Sequence, residues 1–268
     1  MTETNNKTVI VTGGASGIGL EISKLLANIG YKVLIVDKNE ELFEQIKGHH
    51  LNDLSNISFL KLDLGSWDNV KLVMQFCEKS SMNVFALVNN LGYRSNRNLL
   101  TEDLESWEAT FSISLRSAFA LSQSFILHNS YKERKYIVNI GSVTANFISQ
   151  QSPSYHISKA GLESLTKYLA VTAPTQSHKI NVNCLSLGFI VQNRDLNRFQ
   201  DVENTAYMNA AEKHLPNGEV GRDSDIASAV KFLISGDADF INGAVVALDG
   251  GATLIEQFTS LWSNKSLP

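Results

Sequence analysis

The chain has 268 residues, and its 27 acidic and 23 basic side chains give a formal net charge of −4 with no basic block. This balance argues against a nucleic-acid partner, because binding a phosphate backbone requires concentrated positive charge. Hydrophobic residues make up 43% of the chain, which is enough apolar surface for a folded core. No apolar run approaches the roughly 18 residues that span a bilayer, so we expect no membrane association.

The first residues, MTETNNK, are polar and lead directly into an apolar segment. They lack the order of a secretory signal, in which a charged stretch precedes an apolar one. The two cysteines, Cys77 and Cys184, have neither a CxxC partner nor a nearby pair of histidines. The sequence therefore predicts a cytoplasmic protein with reduced, buried thiols and no metal site.

Short β-branched segments alternate along the chain with longer segments of helical period. The strand candidates, in chain order, are 8–12, 33–36, 57–62, 84–88, 136–140, 180–185 and 244–248. The helix candidates between them are 17–29, 39–48, 66–79, 101–129, 154–173 and 223–235, judged by apolar spacing. This order predicts one doubly wound α/β domain over 1–268, with a seven-stranded parallel sheet and helices on both faces.

The segment 189–222 is the least regular part of the sequence. It contains a polar stretch at 193–198 and a possible helix around 203–214, and it ends in Pro216 to Gly218. Long insertions in compact domains are usually lids or binding loops. We expect a substrate lid here, with a mobile surface loop as the alternative, and a C-terminal tail at 252–268.

The segment TGGASGIG, residues 12–19, follows the first predicted strand and begins the first predicted helix. Glycines there allow a tight turn close to a pyrophosphate, and the N–H groups of the helix start attract that anion. The spacing differs from the commoner G-x-G-x-x-G, and a glycine cluster alone could form only a tight turn. The segment predicts a phosphate loop whose cofactor contacts are Gly13, Ser16, Gly17, Ile18 and Gly19.

Asp37 ends the second predicted strand, close to the usual position of an acid that binds the adenosine ribose. A carboxylate there accepts hydrogen bonds from both ribose hydroxyls and repels a 2′-phosphate. No lysine or arginine lies within 13–19 to offset that repulsion. The pattern favours NAD over NADP, with Lys38 as the one opposing feature, and a solvated turn is the alternative role of Asp37.

Two tyrosine–lysine pairs have the four-residue spacing that places both side chains on one helix face. Tyr155 and Lys159 form one pair, and Ser142 precedes them at the carboxyl end of a predicted strand. A tyrosine can exchange a proton with a substrate oxygen when a lysine stabilises its phenolate, and a serine hydroxyl can bond the same oxygen. Ser142 could instead serve as a turn or cap. The other pair, Tyr131 and Lys135, lies in a polar run before a strand and predicts a solvated helix end.

Together these motifs resemble the short-chain dehydrogenase/reductase family over about residues 7–251, which implies a Rossmann fold. The resemblance rests on TGGASGIG, Asp37, Asp63 with Leu64, NNLG at 89–92, Ser142, the pair Tyr155 and Lys159, and LDGG at 248–251. All of these occur in the order and spacing of the family. The resemblance also implies a homodimer or homotetramer formed through the helices at 101–129 and 154–173.

The resemblance implies cofactor roles beyond the glycine loop. Asp63 and the Leu64 backbone would hold the adenine, and Asn90 and Gly92 would line the adenosine side. Lys159 would also bind the nicotinamide ribose. The remaining implied cofactor contacts are Tyr155, Gly188 and Ile190, of which Ile190 would meet the carboxamide. The alternatives are a helix-capping role for Asp63 and a simple strand-end turn at 89–92.

Four positions depart from the family pattern. Ser114 replaces an asparagine whose backbone supports a water that links Lys159 to solvent, and Gln192 replaces a threonine that touches the carboxamide. Leu91 replaces an alanine, and Leu187 replaces a proline. We expect Ser114 to bond water and reroute the proton relay, and both leucines to add bulk around the cofactor, so the departures bear on turnover more than on cofactor binding.

The residues expected to face the substrate are polar: Arg94, Asn146, Gln150 and Gln192. Arg94 could pair with a substrate carboxylate or simply be exposed. The sequence predicts an NAD-dependent oxidoreductase that interconverts a secondary alcohol and a ketone on a small polar metabolite, with Tyr155 as general acid/base. The alternatives are an NAD-binding protein with little or no turnover, and a non-redox elimination or isomerisation enzyme on the same fold.

Overall fold

The computed structural model of the chain describes residues 4, 6–49, 55–128, 133–174, 179–193 and 202–255. The strands are β1 Thr8–Thr12, β2 Lys32–Asp37, β3 Ile57–Lys61, β4 Val84–Asn89, β5 Lys135–Ser142, β6 Ile180–Leu187, β7 Ile190–Val191, β8 Gly221–Arg222 and β9 Val245–Leu248. The α-helices are α1 Gly17–Asn28, α2 Glu40–His49, α3 Trp67–Lys79, α4 Leu104–Phe111, α5 Ser117–His128, α6 Pro153–Thr172, α7 Val202–His214 and α8 Asp223–Ile234.

Seven of these strands form one parallel sheet in the order β3-β2-β1-β4-β5-β6-β9. This confirms the predicted doubly wound fold. The chain runs outward from β1 through β2 to β3 and then returns to place β4 on the other side of β1. Such a reversal opens a crevice at the carboxyl ends of the strands, and ligands of this fold bind there.

Both faces of the sheet are buried, as a parallel sheet with helices on each side requires. In β1, Val9 and Val11 point into the core beneath α1 and α8, whereas Ile10 points into the core beneath α3, α5 and α6. Alternate residues of a strand point to opposite faces, so each face must be apolar. This explains why the strands are nearly continuous apolar runs.

The predicted helix 101–129 is interrupted. After α4 the backbone forms a π-helical turn over Ser112–Arg116, and α5 follows. Ser114 within that turn hydrogen-bonds both backbone groups of Tyr93. Its Oγ accepts from Tyr93 N at 2.9 Å and donates to Tyr93 O at 3.2 Å. Apolar spacing does not reveal a π-turn, because the helical period continues on either side of it.

The structure places Lys135 differently from the predicted solvated helix end. Lys135 begins β5, is 6% exposed, and donates from Nζ to Val84 O at 3.0 Å. β5 starts one residue earlier than predicted and is an interior strand, so its first side chain lies within the protein. Burial lowers the pKa of Lys135. Its predicted partner Tyr131 lies outside the described residues.

The segment 189–222 contributes two short strands and one helix in its described part. β7 pairs with β8 in parallel, with Ile190 opposite Gly221, and α7 occupies the position of the possible helix. Residues 194–201 of the expected lid and 256–268 of the expected tail lie outside the described residues. Among the residues that the structure does describe, no helix is long and apolar enough to cross a membrane.

Candidate active site

The glycine loop joins β1 to α1 through two residues with positive φ, Gly13 at +64° and Gly17 at +52°. Ser16 is the N-cap of α1, and Ile18 lies in the first turn of that helix. A Cβ on Gly19 would overlap the Gly13 carbonyl oxygen and lie 2.5 Å from Asn90 Nδ2. The loop therefore requires glycine for its turn and for its close backbone approach, as the sequence predicted.

Asn90 holds this loop in place from the neighbouring strand. Its Nδ2 donates to Thr12 O at 2.9 Å and to Gly13 O at 3.2 Å. Thr12 Oγ1 accepts from the backbone N–H groups of Asn90 and Leu91, each at 3.0 Å. The Asn90 amide is thus engaged with protein backbone, and Thr12 is a supporting residue that glycine spacing alone did not reveal.

Asp37 faces the loop from the end of β2. Its Oδ2 accepts from Ala15 N at 3.2 Å and its Oδ1 from Asn39 N at 3.0 Å. Each carboxylate oxygen can accept a second hydrogen bond, so two acceptor positions remain for ribose hydroxyls. The residue lines a cavity of about 100 Å³, whose other walls include Lys38, Asp63, Leu64, Leu91 and Gly92.

Asp63 and Leu64 lie at this cavity as the family resemblance implies. Asp63 is exposed, and its Oδ1 accepts from Gly65 N at 2.9 Å, which shapes the turn before α3. The N-cap of α3 is Ser66 rather than Asp63. Leu64 is buried at 3% exposure. The glycine cradle, the helix start and the two carboxylates together fit the pyrophosphate and adenosine of a dinucleotide.

Tyr155 and Lys159 occupy successive turns of α6, beside the end of β5. Lys159 is 4% exposed and donates from Nζ to Ile140 O at 2.8 Å. Its Nζ lies 5.6 Å from the centroid of the Tyr155 ring, and a Cβ on Gly92 would lie 3.6 Å from it. Folding therefore brings the turn after β4, the end of β5 and the start of α6 to one site.

The first turn of α6 is held by several side chains. Ser152 is the N-cap, and its Oγ accepts from Tyr155 N at 3.4 Å, while Pro153 occupies the first helical position. Ser154 Oγ donates to the Glu102 carboxylate at 3.1 Å. A cap, a proline and a carboxylate all favour a helix start, so Tyr155 projects from a fixed position.

Ser142 is the last residue of β5 and is 8% exposed. Its Oγ accepts hydrogen bonds from Thr144 N at 3.3 Å and from Thr144 Oγ1 at 2.9 Å. A serine oxygen has two lone pairs, so its own hydrogen is left to donate to a reacting oxygen. Thr144 therefore orients Ser142, a role that the sequence analysis did not predict.

Gly188 and Ile190 follow β6 toward the expected nicotinamide end. Gly188 N donates to Leu248 O at 2.9 Å, and a Cβ there would lie 2.7 Å from Asp249 Cα. Burial raises the pKa of Asp249, but hydrogen bonds from Thr253 and Gly251 lower it more, and the net direction is down. Asp249 thus anchors the turn beneath Gly188.

The structure shows the surroundings of three residues that depart from the family pattern. Leu187 is 6% exposed and lies in the core cluster that includes Leu185 and Ile226, and its added bulk around the cofactor stays a prediction. Ser114 is 1% exposed and engages the Tyr93 backbone, and its expected bond to water stays a prediction. Leu91 lines the adenosine-side cavity, as expected.

Three of the expected substrate residues follow strands of the seven-stranded sheet, and the fourth follows a strand of the two-stranded sheet. Arg94 lies after β4, Asn146 and Gln150 after β5, and Gln192 after β7. The first three are exposed and Gln192 is half-buried. Asn146 Nδ2 donates to the buried Glu163 carboxylate at 3.0 Å.

The two cysteines do not supply a reactive thiol to this site. Cys77 and Cys184 are buried free thiols, and burial raises the pKa of each to about 12. Thiols in that state stay protonated at neutral pH and are poor nucleophiles.

Replacing Gly19 with alanine should weaken dinucleotide binding at least about tenfold, because the new Cβ displaces the Gly13 carbonyl and Asn90. Isothermal titration calorimetry with NADH measures the effect. Gly218→Asn is the control, because a side chain at Gly218 enters open space and asparagine tolerates the positive φ of that residue. Equal NADH affinity in Gly19→Ala and the wild type would contradict this account of the loop.

Known proteins resemble this chain along nearly its whole length. A family model described as Enoyl-(Acyl carrier protein) reductase matches residues 13–253. The 7alpha-hydroxysteroid dehydrogenase of Bacteroides fragilis is 29% identical over 259 residues, 95% of this chain and 97% of that protein. A 3-oxoacyl-(acyl-carrier-protein) reductase of Chlamydia pneumoniae is 31% identical over 253 residues, 92% of this chain and 97% of the relative. The cyclopentanol dehydrogenase of Comamonas testosteroni is 30% identical over 254 residues, covering 94% and 99%.

Solved structures agree in fold. A short chain dehydrogenase from Bacillus anthracis superposes with a TM-score of 0.80 at 25% identity, covering 95% of this chain and 99% of that one. The aldohexose dehydrogenase of Thermoplasma acidophilum gives a TM-score of 0.82 at 24% identity, covering 95% and 97%. The chain therefore belongs to the short-chain dehydrogenase/reductase family, whose members are oxidoreductases with NAD(P) cofactors, and it acts on alcohol or ketone groups.

Proposed function

We propose that this protein is an NAD-dependent oxidoreductase that interconverts a secondary alcohol and a ketone on a small polar metabolite. The observation that carries the proposal is the meeting of Tyr155 and Lys159 with the turn after β4, in the same crevice as the glycine loop and Asp37. The names of two relatives, cyclopentanol dehydrogenase and 7alpha-hydroxysteroid dehydrogenase, also point to secondary alcohols.

The three catalytic side chains divide the proton chemistry. Ser142 donates a hydrogen bond to the substrate oxygen, and Tyr155 takes the proton from that oxygen in oxidation or returns it in reduction. Lys159 stabilises the negative phenolate by its nearby positive charge. A bound nicotinamide cofactor would supply or accept the hydride. The glycine loop, Asp37, Asp63 and Lys159 are the residues that would hold it.

The NAD preference rests on charge at the end of β2. Asp37 is held in place by hydrogen bonds from Ala15 N and Asn39 N. Its carboxylate would have to break these bonds to rotate away from a ribose 2′-phosphate. The neighbouring Lys38 is exposed and lines the same cavity. Because Asp37 is the fixed group of the two, we expect its repulsion to dominate.

Tyr155→Phe should lower kcat at least about 100-fold while NADH affinity stays within about twofold, because only the proton-transferring hydroxyl is lost. NADH absorbance with NAD and a panel of secondary alcohols measures turnover. Tyr168→Phe is the matched control, because Tyr168 lies on the same helix and is 64% exposed.

Undiminished turnover in Tyr155→Phe would overturn the proposed mechanism. NADH binding by the wild type without oxidation of any alcohol would favour the alternative of a cofactor-binding protein. Conversion of a substrate with no net change in NADH would favour elimination or isomerisation.

Asp37→Ala should raise the ratio of kcat/KM for NADP to that for NAD by roughly 10- to 100-fold, since a charge-assisted hydrogen bond to ribose is lost and a repulsion is removed. Initial rates with each cofactor at one alcohol concentration give the ratio. Asp68→Ala, at an exposed carboxylate on α3 that pairs with Lys71, should leave it unchanged. A wild-type preference for NADP would refute the cofactor assignment.

Thr144→Val should lower kcat about tenfold with a smaller change in KM, because the Ser142 hydroxyl loses the donor that orients it. Thr144→Ser keeps the hydroxyl and should retain most of the activity. Steady-state kinetics of both variants supply the comparison. If valine and serine behave alike, Thr144 does not orient Ser142.

A further inference from the structure

Glu163 is a buried carboxylate that the proposed proton chemistry does not use. It lies on α6 one turn beyond Lys159 and is 7% exposed. Its Oε2 accepts from Asn146 Nδ2 and its Oε1 from Ser186 Oγ, each at 3.0 Å. Both donors are uncharged, so their hydrogen bonds offset only part of the cost of burying a carboxylate.

Two lysines of α6, Lys159 and Lys167, are four residues from Glu163, and residues four apart on a helix are neighbours. Lys167 is exposed, whereas Lys159 is 4% exposed, so Lys159 is the buried positive charge beside Glu163. Both charged side chains contact paired strands beside Ser142, because Lys159 Nζ donates to Ile140 O on β5 and Glu163 Oε1 accepts from Ser186 Oγ on β6. Ser186 is opposite Gly141 in the register of these two strands.

Burial is the main cause that raises the pKa of Cys184 to about 12; Lys159 then lowers it and Glu163 raises it. Cys184 lies directly beneath Gly141, where a Cβ would be 2.6 Å from Sγ, next to Ser142.

The two hydrogen bonds of Glu163 connect the segments on either side of α6. Asn146 ends the short 3-10 turn that begins at Ser142. Ser186 lies in β6, two residues before Gly188. Glu163 therefore ties the helix of the tyrosine and lysine to both strand ends that border the expected nicotinamide site.

We propose that Glu163 is a positioning residue of the active site. Its negative charge opposes that of Lys159 and so sets the pH at which Tyr155 becomes a proton acceptor, while its hydrogen bonds fix Asn146 and Ser186 against α6. This inference rests on the proposed function, because it assigns Glu163 a part in the same proton transfer.

Other titratable groups lie on α6 or on the elements that contribute to the proposed site. Beside Tyr155 and Lys159, they are His156 on α6, Cys184 on β6, Asp249 after β9, Glu102 before α4 and Arg94 after β4. Glu102 contacts Ser154 at the helix start, and Asp249 is bonded to Thr253. Arg116 of the π-turn donates to Gly65 O, on the α3 side. Glu163 is distinguished by joining α6 to both strand ends.

Glu163→Gln removes the charge while nearly preserving the shape. We expect the acid limb of the pH profile of kcat/KM to move to lower pH by roughly one unit, because the phenolate is no longer opposed by a nearby negative charge. A purely structural role would lower kcat at every pH without moving that limb. Glu163→Asp, which retains the charge, should leave the limb in place.

A charge exchange makes the test specific. In the double variant Glu163→Gln with Asn146→Asp, the amide and the carboxylate trade places across the same contact, so the acid limb should return toward the wild type. Ser186→Ala is the matched control, because it removes one hydrogen bond of Glu163 without a change in charge. It should leave the limb unmoved.

A second measurement does not depend on turnover. The ultraviolet absorbance of tyrosinate, titrated in the cofactor-free protein and compared with the Tyr155→Phe variant, reports the ionisation of Tyr155 alone. Tyr155 should ionise at lower pH in Glu163→Gln than in the wild type. This titration decides the inference even if the wild type oxidises no alcohol, a result that would count against the proposed function instead.

The inference is overturned if folded Glu163→Gln shows neither a displaced acid limb nor a displaced Tyr155 titration, or if Ser186→Ala shifts them equally. Circular dichroism and thermal unfolding establish that each variant is folded. Should Glu163→Gln fail to fold, Glu163→Met carries the test, because it also removes the charge and has a similar volume. Glu163→Met should move both quantities to lower pH, and an unchanged result there refutes the inference.

Discussion

The close approach of Gly19 to the Gly13 carbonyl is the constraint on which the rest of the site depends. There is no room for a Cβ at that contact, and the Asn90 side chain closes it from β4. β1, α1 and β4 are thereby fixed together at the reversal point of the sheet. Asp37 is then tied to the same loop through Ala15 N, so the phosphate and ribose ends of the site form one unit.

The proposed catalytic end of the site is arranged in the same way. Its side chains lie at or near strand ends and are held by hydrogen bonds to neighbouring residues. Ser142 ends β5 and is oriented by Thr144, and Lys159 bonds the Ile140 carbonyl of the same strand. The N-terminus of α6 is held at Ser152. Because both faces of the sheet are filled by apolar packing, the polar groups collect at this edge, where strand ends and side chains provide hydrogen-bond partners for them.

The spacing of apolar residues and the alternation of strand-like and helix-like segments were sufficient to predict the sheet, because buried parallel strands and amphipathic helices leave strong sequence patterns. The glycine loop, Asp37 and the Tyr155–Lys159 pair were also predictable, since their spacing follows from backbone geometry. Contacts between distant residues were not: nothing local in the sequence shows that Ser114 bonds Tyr93, that Leu187 points into the core, or that Lys135 is buried. Thr12 and Thr144 act through partners that only the fold supplies.

The π-turn over Ser112–Arg116 has a consequence for how this protein can vary among its relatives. The residues before it, in α4, pack on α6, whereas those after it, in α5, pack on α3. One residue gained or lost in an α-helix rotates everything beyond it by about 100°, so a deletion within the turn would remove one of these packing surfaces. Surface loops tolerate insertions, but natural insertions and deletions should be rare within the π-turn. The turn sets the register between the packing of α4 on α6 and the packing of α5 on α3.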